Sequence, residues 1–158
     1  MQPIIPNLWF DTEAQPAAEF YVSVFPNSKI VSTALYPEGA PGPTGTVMTV
    51  EFELDGQRFV GINGGPEFTF DEAVSFQISC ETQDEVDYYW AKLSEGGEEG
   101  PCGWLKDRYG LSWQVCPVEM LELLNDPDQG RSQRAMRAML GMKKLDVAAL
   151  RAAADQAS

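Results

Sequence analysis

Residues 46–54 (TVMTVEFEL) place Met48, Val50, Phe52 and Leu54 on one face and Thr49, Glu51 and Glu53 on the other. A period of two is the mark of a strand with one buried side. Asp55-Gly56 follows and predicts a two-residue hairpin turn into residues 58–63. Upstream, residues 4–10 predict a strand with Leu8 and Phe10 on one side and Asn7 and Trp9 on the other. Residues 28–36 are β-branched and strand-like. Between these two strands a helix is expected through AEFYVSVF, capped by Asp11 or Thr12 and stopped by Pro26-Asn27. Its apolar face would be Phe20, Val24 and Phe25.

After Gly64-Gly65-Pro66 the pattern starts again. Residues 74–80 predict a strand with Phe76, Ile78 and Cys80 on one face and Ser75, Gln77 and Ser79 on the other. Thr82 caps a second helix, with Glu85 completing a capping box and Val86, Tyr89, Trp90 and Leu93 as the apolar stripe. Short strands follow at residues 104–106 and 111–116, then helical pieces at 118–124, 132–142 and 145–154. Each half therefore reads as a βαβββ unit used twice, although the two halves share few letters. The glycines of PEGAPGPTG (37–45) do not make a phosphate cradle, because three prolines interrupt them and no helix follows.

Charge and composition narrow the partners. The net charge of −13 excludes nucleic acid and anionic membranes, both of which require clustered Lys and Arg. The charge is uneven: residues 131–158 hold six basic and two acidic side chains, +4, and the 130 before them carry −17. That tail is rich in Ala, Met and Leu and is expected to dock as a helix against the acidic body or a partner subunit. Three cysteines without metal-ligand spacing, and no export leader or membrane span, point to the cytosol. There is no histidine among the 158 residues, so a Cys-His or Ser-His nucleophile pair cannot form within one chain.

The INGGP turn (62–66), the CETQ run (80–83), EVDYYWAKLSEGG and CGWLKDRYGLSWQVCP (102–117) resemble the PhnB-like proteins. These are often labelled 3-demethylubiquinone-9 3-methyltransferase-type and belong to the glyoxalase/bleomycin resistance/dioxygenase, or vicinal oxygen chelate, superfamily. The resemblance runs from about residue 4 to 150. It implies an α+β fold in which paired βαβββ modules form a curved sheet around a cavity, followed by a helical tail. A single domain over residues 1–158 is expected, with modules at 1–66 and 67–117 and the tail at 118–158. The resemblance also implies a homodimer.

Metal-using members of that superfamily hold a divalent ion with four inward His, Glu or Gln side chains, and the ion acts as a Lewis acid. Here strand parity brings Asn7, Trp9, Gln77, Ser79, Ser112, Gln114 and Cys116 to the corresponding faces. Gln114 stands four residues after the turn glycine Gly110, where metal-binding relatives carry Glu. The first-half counterpart falls near Gly61 or Asn63, and Trp104 is read as core or cavity wall. Trp9 shares the parity of Asn7 and can stack on a ligand. Glu51 and Glu53 are the nearby carboxylates, equally placed to be solvated. Neutral amides and hydroxyls hold transition metals poorly, so no metal or other cofactor is expected.

These readings lead to a small-molecule binding protein whose cavity is lined by Asn7, Trp9, Glu51, Asn63, Gln77, Ser79, Trp104, Ser112, Gln114 and Cys116, with no catalytic residue assigned. The alternatives are a metal-dependent lyase, isomerase or dioxygenase, or the methyltransferase of ubiquinone biosynthesis that the family label names. The label is discounted because no strand–G-x-G–helix fingerprint for a methyl donor occurs.

Overall fold

The computed structural model describes residues 3–156 and divides into two compact units, one ending at Phe70 and the other beginning at Asp71. The N-terminal unit runs β1 (Asn7–Phe10), α1 (Ala14–Val24), β2 (Lys29–Leu35), β3 (Val47–Leu54) and β4 (Gln57–Asn63). Its sheet has the order β1-β4-β3-β2, with β1 parallel to β4 and the other pairs antiparallel.

The C-terminal unit repeats that plan with β5 (Ser75–Cys80), α2 (Gln83–Ser94), β6 (Glu98–Glu99), β7 (Trp104–Lys106) and β8 (Ser112–Pro117). The order β5-β8-β7-β6, with β5 parallel to β8, matches the first sheet strand for strand. The duplicated βαβββ order is thus present in an α+β fold. The two-residue β6 carries no alternation, and its pattern gave no warning of a strand. Helices α3 (Val118–Leu124), α4 (Gln129–Leu140) and α5 (Val147–Asp155) complete the unit.

Parity decides which side chains enter the first core. Leu8 and Phe10 of β1, Val50, Phe52 and Leu54 of β3, and Phe59 of β4 are buried against α1. The helix buries Ala14, Ala17, Ala18, Tyr21 and Val24; of the expected face Val24 is fully inside, and Phe20 and Phe25 are half-buried. Tyr21, fully buried, stacks on Phe52, which stacks on Phe59. Small alanines let the helix lie close to the sheet: a Cβ on Gly61 would stand 3.2 Å from Ala14 Cβ. The cap of α1 also differs from expectation. No side chain of residues 11–13 caps it; Asn63 Oδ1, from the end of β4, accepts the Ala14 N–H at 2.8 Å. At the hairpin, Asp55 and Gly56 both have positive φ, as a type I′ turn requires.

In the second unit α2 buries Val86, Trp90 and Leu93. Its capping box forms with a shift: Thr82 Oγ1 accepts from Glu85 N–H, while Glu85 accepts from Glu81 N–H instead of the cap residue's own. The C-terminal helices build a separate apolar cluster from Cys116, Met120, Leu123, Ala135, Leu145, Leu150 and Ala154.

Four of the six basic side chains of the tail bond acidic groups or carbonyls of their own unit. Arg131 pairs with Asp126 and Asp155, Arg151 with Glu119, and Lys144 with Asp87, while Arg134 donates to the Ala154 carbonyl. Between α4 and α5 the chain is stitched to the sheet. Met142 and Lys143 carbonyls accept from Cys102 and Gly103 N–H, and Gln83 bonds both Leu145 O and Val147 N–H. Gly103 has φ of +84°, and a Cβ there would meet Leu145 Cδ1 and Val115 O at 2.8 Å, so only glycine lets the tail approach. No helix among the described residues is long and apolar enough to cross a membrane.

Candidate functional site

The register of the second sheet gathers one face. Ser75, Gln77 and Ser79 of β5 lie beside Ser112, Gln114 and Cys116 of β8; across β7, Trp104 pairs with Gln114 and Lys106 with Ser112. This face divides into three zones. At one end Cys116 is buried in the helical cluster, where desolvation raises its thiol pKa. In the middle Gln114 Nε2 donates to Ser75 Oγ at 2.9 Å. Gln77 and Ser79 are exposed beside it. The Gln77–Gln114 amide pair that their parity suggests does not form; Ser75 takes the bond because its hydroxyl reaches the amide diagonally.

At the other end is a groove of about 520 Å³. Its walls include Glu72, Glu98, Pro101, Cys102, Trp104 and Lys106, with Ser112 beneath. Ser112 is fully buried, and its Oγ has no hydrogen-bond partner, the one such buried side-chain atom among the described residues. Lys106 pairs with Glu72 at the rim, and that contact, helped by Glu98 and Asp71, raises the ammonium pKa and keeps it charged. Glu99 accepts from Trp90 Nε1 at 3.0 Å, which anchors the β6 wall to α2.

A buried carboxylate escaped the sequence reading. Asp107 is 2% exposed and accepts from Tyr109 N–H, Leu111 N–H and the Trp113 indole, at 2.8, 3.1 and 2.9 Å. It shapes the β7–β8 turn below the groove and fixes Trp113 in the core. The signal was present: an Asp opening a turn two residues before Tyr109 is the usual start of an Asx turn.

Of the four N-terminal candidates, Asn7, Trp9 and Glu51 share one face of the first sheet, with Asn7 and Glu51 flanking Val60, and Asn63 lies on the opposite, helix side. Asn7 is exposed and bonds the Ile5 carbonyl. Trp9 Nε1 donates to Gly65 O at 2.9 Å, and its ring packs edge-on to Phe68. The ring lies where a Cβ on Gly64 would come within 2.3 Å, so the GGP turn is shaped around Trp9. Glu51 and Glu53 both pair with Arg58 at 3.4 Å across the hairpin. Asn63 is spent on structure: besides capping α1 it donates to Val47 O at 3.1 Å, and its own carbonyl accepts from Tyr36. It borders a second groove of about 530 Å³, lined by Asp11, Thr12, Gln15, Tyr36 and Thr46, none of which the sequence reading chose.

A family model described as 3-demethylubiquinone-9 3-methyltransferase matches residues 2–116. The chain belongs to this family. These PhnB-like proteins are part of the glyoxalase, or vicinal oxygen chelate, superfamily. Among solved structures, the PhnB protein from Bacillus cereus is 38% identical; the match covers 74% of this chain and 100% of that one, with a TM-score of 0.66. Protein PA1353 from Pseudomonas aeruginosa is 17% identical over 74% and 98% of the two chains (TM-score 0.61). The fosfomycin resistance protein FosX from Listeria monocytogenes is 16% identical over 78% and 97% (TM-score 0.53). These last two share the fold. No protein of curated function matches. The family match stops at residue 116, well short of the residue 150 expected from the resemblance, so α3–α5 stand outside it.

The metal that members of this superfamily use does not fit the residues present. Gln114 is bonded to Ser75, Trp9 to Gly65, and Glu51 and Glu53 to Arg58. Among the described residues no three His, Cys, Asp or Glu side chains are grouped to hold an ion. The remaining hydroxyls and amides are weak ligands for a divalent transition metal. A methyl donor bearing a nucleoside is no better matched. The β1–α1 and β5–α2 junctions, at residues 11–13 and 81–82, contain no glycine that would let a backbone cradle approach it. No step is derived through either group.

Proposed function

We propose that this PhnB-like chain is a small-molecule binding protein without a resident metal, and that its ligand sits in the groove of the C-terminal unit. The observation that supports this reading is the unpartnered hydroxyl of Ser112 beneath that groove. Buried polar side chains nearly always have a partner, so an oxygen or nitrogen of a ligand is the natural complement. Trp104 supplies a flat aromatic wall, and Lys106 with Glu72 a charged rim. A groove of about 520 Å³ suits a small organic molecule with a flat apolar body and one polar group aimed at Ser112. All three thiols are free, which suits a reducing compartment such as the cytosol.

The test combines elemental analysis after dialysis against mixed divalent ions with thermal unfolding in the presence of aromatic ketones, amides and phenols. The reading predicts substoichiometric metal, a Tm unchanged by EDTA, and stabilisation by one compound class that Ser112→Ala removes. A stoichiometric metal with chelator-sensitive unfolding would instead favour a metal-dependent lyase, isomerase or dioxygenase.

A further inference from the structure

We propose that Cys102 is a covalent capture residue whose thiol adds to flat, conjugated carbonyl compounds seated in the C-terminal groove. The proposal rests on the groove being the ligand site, and it names the class of ligand.

Three observations converge on it. Cys102 has φ of +58°, the left-handed region that a side chain disfavours and glycine adopts freely. The following residue is Gly103, also at positive φ, so the local turn would accept glycine at both positions. Cys102 thus takes the first corner of a type I′ turn, where Asn, Asp or Gly is usual, and does so at the wall of a cavity. Second, the turn, closed by its own Trp104 N–H to Pro101 O bond at 3.0 Å, is docked against the C-terminal segment. The Cys102 and Gly103 N–H groups donate to Met142 and Lys143 carbonyls, both at 2.8 Å, from the segment joining α4 to α5. That segment lies beyond the family match, so positioning this thiol is a feature of the chain's own C-terminal extension. Third, Ser112, fully buried and unpartnered, borders the same groove as Cys102 and Trp104.

The three side chains define complementary chemistry. Trp104 offers a face for a planar conjugated body, Ser112 a donor for a carbonyl oxygen, and Cys102 a nucleophile. Cys80 and Cys116 are buried, which leaves Cys102 as the accessible thiol. In the step, sulfur forms a bond to the β-carbon of the acceptor while the carbon–carbon π pair shifts to give an enolate. The enolate oxygen accepts from Ser112 Oγ. The proton lost by the thiol returns through water to the α-carbon. The net change is addition of S–H across one double bond, with no oxidant or reductant.

The full chain is treated with benzalacetone, a flat conjugated ketone, and separately with acrylamide, which cannot stack; adducts are read by intact-mass spectrometry and peptide mapping. The proposal predicts one adduct per chain, on Cys102. The benzalacetone-to-acrylamide rate ratio should exceed that of glutathione by about tenfold, from positioning in the groove. Ser112→Ala should slow benzalacetone by about fivefold, the worth of one neutral hydrogen bond, and slow acrylamide less, since nothing seats its carbonyl against Ser112. Cys102→Gly should abolish the adduct while keeping or raising Tm, since glycine relieves the left-handed φ. A rate ratio equal to that of glutathione, or adducts on Cys80 or Cys116, would overturn the proposal. The saturated analogue benzylacetone separates the two readings. If it shields Cys102 from iodoacetamide and benzalacetone still fails to add, covalent capture falls and the groove stands. If it gives no shielding and no adduct forms, both fall.

Discussion

The side-chain amide of Gln114 donates to the Ser75 hydroxyl at 2.9 Å, tying the parallel strands β5 and β8 together at the position where metal-using relatives are expected to place an acid. A hydrogen bond between neutral groups thus occupies a place that a coordination bond would need. Gln114→Ala should cost about 1 kcal/mol in urea unfolding, the net worth of such a bond. EDTA should change neither the wild-type nor the variant midpoint. A chelator-dependent loss in the wild type alone would mean that the amide has a metal to hold.

Asn63 performs two structural tasks, accepting from Ala14 N–H and donating to Val47 O. Asn63→Ala removes the only side-chain cap seen on α1 among the described residues and frees a strand carbonyl. A loss of about 2 kcal/mol is expected. Hydrogen exchange should quicken first in the opening turn of α1.

Asp107 is buried with three N–H donors around one carboxylate. Asp107→Ala strands the Trp113 indole N–H and two turn amides, and should cost about 3 kcal/mol. The near-ultraviolet circular dichroism of Trp113 should weaken even where the variant remains folded.

The alkaline limb of stability reports on Cys80. Burial above all, with Glu85 and Cys116 adding, raises its thiol from the ordinary 9.0 to about 12. The folded state therefore holds its proton where the unfolded chain has released it. The stabilisation is complete below pH 9 and is lost as pH rises towards 12. Wild type should lose more stability than Cys80→Ala between those limits in denaturant titrations. Parallel curves would show that the thiol titrates alike in both states.

Much of the fold was legible because its signals are local. Alternation in β3, the Asp55-Gly56 turn, and the Thr82–Glu85 pair each fix their element within a few residues, and each is found in place. What stayed hidden depends on distant partners. Asn63 caps a helix 49 residues away, and no local pattern marks such a cap. Strand parity correctly put Ser112, Gln114 and Cys116 on one face, yet it cannot tell which end of that face the helices α3–α5 cover. So Cys116 belongs to an apolar cluster, Gln114 to a strand tie, and Ser112 to the groove. The turn at Cys102 and Gly103 is local, closed by Trp104 N–H to Pro101 O, but its docking onto residues 142 and 143, forty positions along the chain, leaves no local pattern.

Amide correlation spectra of uniformly labelled protein, recorded during titration with aromatic ketone fragments, test the central claim most directly. Binding in the C-terminal groove predicts concentration-dependent shifts at Gly100, Cys102, Lys106 and Ser112 and at the Trp104 indole, all unchanged by EDTA and lost in Ser112→Ala. Shifts centred instead on Asp11, Tyr36 and Thr46, or no shifts at the groove with any fragment, would contradict it.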